Sequence, residues 1–347
     1  MQKHSFALAL VLSTGTSLLG CAAPEDEVGV DPGEASEGKA DGLASALPDV
    51  QCAGTPVLPA KQPWRHSRSR LISVPASAHR GFDLVASASE AKQVLAGAAS
   101  YIVGDKALED EQVDLYACRA GAWQYVTSAM TDKEGLFKAA LTGAKRLPVG
   151  MRDMYVAITG DNSGAKFLAV VAPDGTAAAV SDIDGTLTSS EEAFQESLVT
   201  HDDVAIHPGA PAALTALRGR GYLPVYVTSR GHIFTEQSRN WLAAQGMPRG
   251  PIRLAPTVIT LPGSATVKYK SDVFAGLESH GLEVAVGIGN RATDIAAYSK
   301  AGVDRANIWI KGPEFISETK SKIAAGQAQG FTEYSQLAAM IAALPVR

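Results

Sequence analysis

From Ala179 onward, apolar runs of strand length alternate with stretches of helical periodicity. The runs Ala178–Val180, Leu223–Val227 and Val284–Ile288 each end in polar or glycine residues. His207-Pro208-Gly209 opens an apolar-periodic stretch from Ala212 to Leu217. This alternation predicts an α/β fold, a doubly wound parallel sheet of Rossmann-like type with its site at the carboxyl ends of the strands. A last helix is expected over Thr332–Leu344, with Leu337, Met340, Ile341 and Leu344 on one face, packed against the sheet. Upstream the pattern changes. Between Arg70 and Pro173, short apolar or alternating runs (Phe82–Ala86, Val113–Cys118, Trp123–Thr127, Leu136–Leu141, Met154–Ile158, Phe167–Val171) are separated by Gly, Asp and Asn turns. Strands at that spacing predict an immunoglobulin-like β-sandwich. The expected division is a sandwich over 51–175 and an α/β domain over 176–347.

The beginning of the chain bounds its location. Lys3 precedes an apolar stretch, Phe6–Leu19, that is too short for an ordinary membrane-spanning helix and reads as an export signal over 1–20. Leu18-Leu19-Gly20-Cys21 looks like a bacterial lipobox, which would make Cys21 the lipidated first residue of an exported, membrane-anchored lipoprotein on the periplasmic or cell-surface side. From Ala22 to Pro48 there are seven acidic residues, one Lys and no aromatic. Such a segment cannot bury a core, so 21–50 is read as the lipidated Cys and a flexible tether. With Cys21 lipidated, Cys52 and Cys118 remain, an even pair expected to form a disulfide in an oxidising compartment. Neither shows the C-x-x-C spacing of a zinc site.

The candidate chemistry lies at the strand ends. Asp182-Ile183-Asp184-Gly185-Thr186 sets two carboxylates two residues apart where an apolar strand breaks into a turn. In extended backbone, residues i and i+2 point the same way, so both carboxylates can face one magnesium ion and one phosphate. Thr228-Ser229-Arg230 ends the next strand with hydroxyls and a guanidinium suited to phosphate oxygens. A lysine, Lys270 or its neighbour Lys268, could neutralise an aspartate and phosphate held together. Gly289-Asn290-Arg291 leads to Asp294, expected at the start of a helix.

In this order the motifs resemble the haloacid dehalogenase (HAD) superfamily of aspartate-nucleophile phosphatases, and within it the lipin-type LNS2 domain of phosphatidate phosphatases. Asp182-Ile183-Asp184-Gly185-Thr186-Leu187-Thr188 and Thr228-Ser229-Arg230 carry the superfamily likeness. Pro248-Arg249-Gly250-Pro251-Ile252-Arg253-Leu254-Ala255-Pro256 and Gly289-Asn290-Arg291 through Asp294 to Ala297-Tyr298 carry the lipin-like part. The likeness covers about Val180 to Lys311. It implies that Asp182 attacks phosphorus to form an aspartyl-phosphate, and that Asp184 protonates the leaving oxygen and later activates water. By the same resemblance, magnesium would be held by Asp182, the carbonyl of Asp184, and Asp294, with Asn290 close by. Thr228 and Lys270 would hold phosphoryl oxygens. Gly185, Thr186, Ser229, Arg230 and Arg291 would face the substrate, although Arg291 reads equally as a structural ion pair. A β-sandwich beside the catalytic domain also resembles lipin architecture.

Spacing limits the cap. Only 43 residues separate Asp184 from Thr228, and 41 separate Thr228 from Lys270, so a minimally capped, open site is expected, able to accept a phosphate on a large body or a membrane surface. With a net charge of −5 and no dense basic cluster, nucleic-acid binding is disfavoured. Phosphate attraction is expected to be local, from Arg230, Arg239, Arg249, Arg253, Lys270 and Arg291. In place of the acidic-Gly element that follows the lipin motif stands Ser189-Ser190-Glu191-Glu192-Ala193. The expected activity is magnesium-dependent hydrolysis of phosphatidate, or of another lipid or large phosphomonoester. The alternatives are a non-lipid HAD phosphatase and a surface-anchored phospholipid- or phosphate-binding module without turnover.

Overall fold

The computed structural model describes residues 47–73, 77–101, 105–200, 203–256 and 263–347. The expected signal segment, Cys21 and the acidic stretch to residue 46 lie outside the described residues. The sandwich contains β1 (Asp49–Val50), β2 (Arg80–Phe82), β3 (Leu84–Ser87), β4 (Lys92–Ala98), β5 (Ser100–Tyr101), β6 (Lys106–Ala107), β7 (Gln112–Arg119), β8 (Ala122–Met130), β9 (Leu136–Thr142), β10 (Gly150–Ile158) and β11 (Gly164–Ala172), with a short helix α1 (Ser67–Ile72). One sheet runs β3-β11-β10-β7-β8, with β1 alongside β10, and it faces the three-stranded sheet β2-β4-β9. Between them Leu95, Phe137 and Leu141 meet Leu115, Val156 and Phe167. A disulfide joins Cys52 to Cys118 on β7.

The α/β part has six strands, β12 (Thr176–Asp182), β13 (Leu223–Gly231), β14 (Ile252–Ala255), β15 (Leu282–Gly289), β16 (Ile308–Lys311) and β17 (Gln329–Phe331). They form one parallel sheet in the order β14-β13-β12-β15-β16-β17. Its helices are α2 (Ala193–Thr200), α3 (Ala210–Gly219), α4 (Thr235–Ala244), α5 (Gly263–Ser279), α6 (Ala292–Lys300), α7 (Ile316–Ala324) and α8 (Leu337–Ala343). The HAD-like doubly wound sheet preceded by a β-sandwich is therefore the fold of this chain. On β12, Ala178 and Val180 enter the core beneath α5 and α6, whereas Ala177 and Ala179 face α3 and α8. That two-residue alternation between two apolar layers is why the strand reads as a continuous hydrophobic run. On the α6 side, Tyr298 stacks on Phe274 at 4.9 Å and lies against Gly287, where a Cβ would come within 2.5 Å of the ring.

Two expected elements differ in detail. The run Phe82–Ala86 breaks at Asp83 into β2 and β3. The buried Asp83 carboxylate accepts from the Leu168 amide of β11 and the Ile252 amide of β14, both at 2.8 Å, and pairs with Arg239 of α4 at 2.7 Å. It thus satisfies a strand of each domain at once, β14 being the edge of its sheet. The expected final helix begins as a 3-10 turn, Tyr334–Gln336, because Gln336 Oε1 accepts the amides of Thr332 and Glu333, and α8 proper starts at Leu337.

Asp83 is one part of a larger joint. Arg249 pairs with Asp49 and Asp153 of the sandwich, and Arg253 donates to the Asp83 carbonyl at 2.8 Å. Val85, Met151, Leu168 and Val170 share a core with β12, β13, α5 and α6. Hence β3, β10 and β11 are covered on both faces.

The sandwich also contains a pH-sensitive contact. His79, 4% exposed, accepts from the Ser100 amide at Nδ1 (3.2 Å) and lies 2.8 Å from Ser163 Oγ through Nε2, a pattern that suits the neutral ring. Burial pushes its pKa down from 6.5 to about 4, with Asp161 opposing and Arg80 adding to the shift. Below pH 6.5 the unfolded chain binds a proton that the native ring refuses. Its stability contribution is therefore complete above about pH 6.5 and is lost as pH falls towards 4, up to about 3 kcal/mol. Urea unfolding at about pH 7 and about pH 4 should show the wild type losing about 3 kcal/mol more than His79→Gln. Equal losses would contradict this.

Candidate active site

Asp182 is the last residue of β12 and pairs in register with Val227, so Thr228 on β13 lies one step beyond it at the carboxyl edge of the sheet. The turn that follows is closed by Thr188, whose hydroxyl accepts from the Gly185 amide and donates to the Ser190 carbonyl, both at 2.8 Å. Gly185 has φ +65°, a left-handed conformation that glycine adopts without cost. Thr186 Oγ1 lies 3.5 Å from Asp182 Oδ2.

Lys270 projects from within α5, and its ammonium bridges Asp182 Oδ1 at 2.8 Å and Asp294 Oδ1 at 2.5 Å. Burial works against the charge on Lys270, but the Asp182 and Asp294 carboxylates outweigh it and hold the ammonium well above the usual lysine range. Burial drives the Asp182 carboxyl well above the usual carboxylate range, Lys270 opposes that push, and Asp294 and Glu191 reinforce it. The neighbouring Lys268 is solvent-exposed, pairing with Asp272 one turn on. Geometry therefore separates two lysines that spacing left equivalent. Asp294 lies in the first turn of α6, where its Oδ2 accepts the Asn290 and Arg291 amides at 3.0 Å. It is thereby fixed with its other oxygen towards Lys270.

Asp184 lies in a fork. Arg230 Nε donates to both its oxygens at 3.0 and 2.9 Å, Arg230 Nη2 reaches Oδ1 at 2.6 Å, and Thr228 Oγ1 donates to Oδ2 at 2.8 Å. Arg230 is further held by Ser238 at 3.1 Å and by the Phe194 ring 3.7 Å from its guanidinium carbon. In this structure Arg230, expected to face the substrate head group, has its polar edge engaged by Asp184 and is 2% exposed. Arg291 pairs with Glu318 at 3.1 Å and Glu191 at 3.6 Å and lies over Phe315, which favours the ion-pair reading over the substrate-facing one. Arg239, Arg249 and Arg253 do not supply phosphate attraction, since all three are turned into the joint with the sandwich. Ser229 is half-buried near the end of β13.

One site residue was absent from the sequence reading. Glu191 accepts from Asn290 Nδ2 at 3.1 Å, and burial pushes its pKa up to about 7; Asp184 and Asp294 add to that rise while Asn290 and Lys270 oppose it. Its place in Ser189-Ser190-Glu191-Glu192-Ala193, where the lipin pattern has its acidic element, was the signal available. Among the described residues no three His, Cys, Asp or Glu side chains converge as a metal site by themselves. The donor set near Asp182 depends instead on Asn290, which is fully buried and whose Oδ1 has no hydrogen-bond partner. Such an orphaned carbonyl oxygen, on a residue whose backbone amide is bonded by Asp294, fits a hard divalent cation.

An Asp-x-Asp turn at the end of an inner strand of a parallel α/β sheet, with a lysine bridging it to the next acidic helix start, is the arrangement of HAD-like domains. The comparison with known families refines this class: residues 179–312 match the LNS2 domain of PITM 1-3, and residues 77–171 match the beta-sandwich domain of PITM 1-3. The chain thus carries an LNS2-type segment together with a PITM-type sandwich segment. The Drosophila melanogaster protein retinal degeneration B is 26% identical over 208 residues, covering 59% of this chain and 16% of the relative. Human membrane-associated phosphatidylinositol transfer protein 2 is 27% identical over 266 residues, covering 74% and 19%. The chain thus spans about a fifth of the length of these relatives. Among solved structures, apo phosphoserine phosphatase aligns with 47% of this chain and 97% of its own at 15% identity, with a TM-score of 0.30.

Proposed function

We propose that this chain is a magnesium-dependent phosphomonoesterase that works through an aspartyl-phosphate on Asp182, with phosphatidate or another large phosphorylated molecule as substrate. The observation that carries the reading is the Asp182–Lys270–Asp294 bridge beside the Asp184 fork. A site built only to hold phosphate has no need of a buried nucleophile-type carboxylate, which repels the anion unless cations offset it. Between β12 and α3, α2 is the only helix among the described residues, so the mouth is not covered by a cap domain there. Export and lipid anchoring through Cys21 belong to the same proposal and would place this open site at a membrane surface.

In the first step an Asp182 oxygen attacks phosphorus, the bond from phosphorus to the ester oxygen breaks, and Asp184 gives its proton to the leaving alcohol oxygen. To do so Asp184, which accepts as a carboxylate in the Arg230 fork, has to swing out of it and take up a proton from solvent. In the second step Asp184 takes a proton from water, and the hydroxide adds to phosphorus. The phosphorus–Asp182 bond then breaks, leaving inorganic phosphate and the restored carboxylate. Lys270 keeps Asp182 oriented and offsets charge on the phosphoryl oxygens, and the Thr228 hydroxyl would do the same once Asp184 leaves it. Asp182, Asp294, Asn290 Oδ1 and the Asp184 carbonyl would hold magnesium, which neutralises the phosphate and the attacking carboxylate.

A second reading is a lipid-recognition module without turnover, favoured by the names of the relatives, which are phosphatidylinositol transfer proteins. A phosphate-release panel separates the two. Phosphatidate in detergent micelles, lysophosphatidate, a water-soluble phosphomonoester and a phosphopeptide should include at least one hydrolysed substrate. EDTA should abolish release and added magnesium should restore it. Binding of phosphatidate with no release from any substrate would favour the module.

A further inference from the structure

Asn290 directly follows β15 and is fully buried, its amide nitrogen spent on Glu191 Oε2 at 3.1 Å and its Oδ1 left without a hydrogen-bond partner. The carboxylate of Glu191 can only accept when ionised, so turning the amide over would set acceptor against acceptor. Glu191 is itself held: its backbone amide donates to Glu314 Oε1 at 3.0 Å, and Arg291 Nη1 lies 3.6 Å from its Oε1. The contact also needs a gap in the nucleophile turn. A Cβ on Gly185 would stand 2.1 Å from Asn290 Nδ2 and 3.1 Å from Glu191 Oε2. Glycine there makes room for the amide as well as for the turn.

We infer that Glu191 is a positioning residue: by holding Asn290 Nδ2 it keeps Asn290 Oδ1 turned away from itself and presented as an oxygen ligand for a divalent cation beside Asp182 and Asp294. The inference rests on the magnesium part of the phosphatase reading, but it assigns Glu191 a role that the nucleophile, the acid and the lysine do not require. Groups that orient a metal ligand typically change metal affinity by about 10- to 100-fold when removed.

The test is calorimetric titration of magnesium chloride into the metal-free full chain, with thermal unfolding used to establish that each variant is folded. Glu191→Ala should weaken magnesium binding by about 10-fold or more. Glu191→Gln should stay within about threefold of the wild type, because its carbonyl still accepts from Asn290 Nδ2. Asn290→Ala should be weakened, and Glu191→Ala added to it should cost no more than about threefold further, since a positioning residue has nothing left to position. Wild-type affinity in Glu191→Ala would overturn the inference while leaving the phosphatase reading intact. So would a full additional loss in the double variant, which would make Glu191 a ligand in its own right. Failure of the wild type to bind magnesium at all would overturn both.

Discussion

Replacing Lys270 by Met should lower the melting temperature by about 10 °C and abolish phosphatase activity together. Lys270 stands between two carboxylates whose side chains are 8% and 0% exposed, Asp182 and Asp294. Removing one partner from a buried ion cluster costs about 3–5 kcal/mol, because the charge left behind is uncompensated. At roughly 2–4 °C per kcal/mol for a domain of this class, the expected shift follows. Magnesium should recover part of it by binding the folded form alone. Differential scanning calorimetry with and without magnesium measures both effects. A melting temperature within about 2 °C of the wild type would show that the bridge is not what keeps the two carboxylates buried.

Asp182→Asn should behave in the opposite way on stability and at least as severely on turnover. The amide keeps the shape of the side chain but has no attacking charge, so phosphate release should fall by at least about a thousandfold. Stability should hold or rise, since the substitution removes a buried charge that repels Asp294. Folded but inactive Asp182→Asn beside unstable Lys270→Met distinguishes a nucleophile from a structural ion pair. Release at the wild-type rate by Asp182→Asn, measured with the best substrate of the panel, would remove Asp182 from the chemistry.

Much of the architecture was legible because its signals are local. The alternation of apolar layers along Ala177–Val180 and the turn residues after Asp182 and Arg230 sit within a few positions of what they determine. What escaped the sequence depends on distant partners. The break at Asp83 is explained by Leu168, Arg239 and Ile252, which are 85, 156 and 169 residues away. Distant partners likewise explain why Arg239, Arg249 and Arg253 looked like free phosphate ligands: a guanidinium reads as available until the acceptor opposite it is placed. Lys268 and Lys270 differ by half a helical turn, and only the position of α5 over the sheet decides which one is buried. Glu191 looked like an ordinary acid in a departure from the lipin pattern. Its importance appears only when the turn at Gly185 brings it to Asn290.

The measurement that bears most directly on the central claim is capture of the covalent intermediate. The wild type and Asp184→Asn would be mixed with magnesium and an activated phosphomonoester, quenched in acid, digested and analysed by mass spectrometry. The account predicts a phosphoryl group on Asp182 that is stable to acid and released by hydroxylamine, accumulating in Asp184→Asn because water is no longer activated there. Turnover by the wild type with no phosphoryl group on Asp182 in either protein, or with one on a different residue, would contradict it.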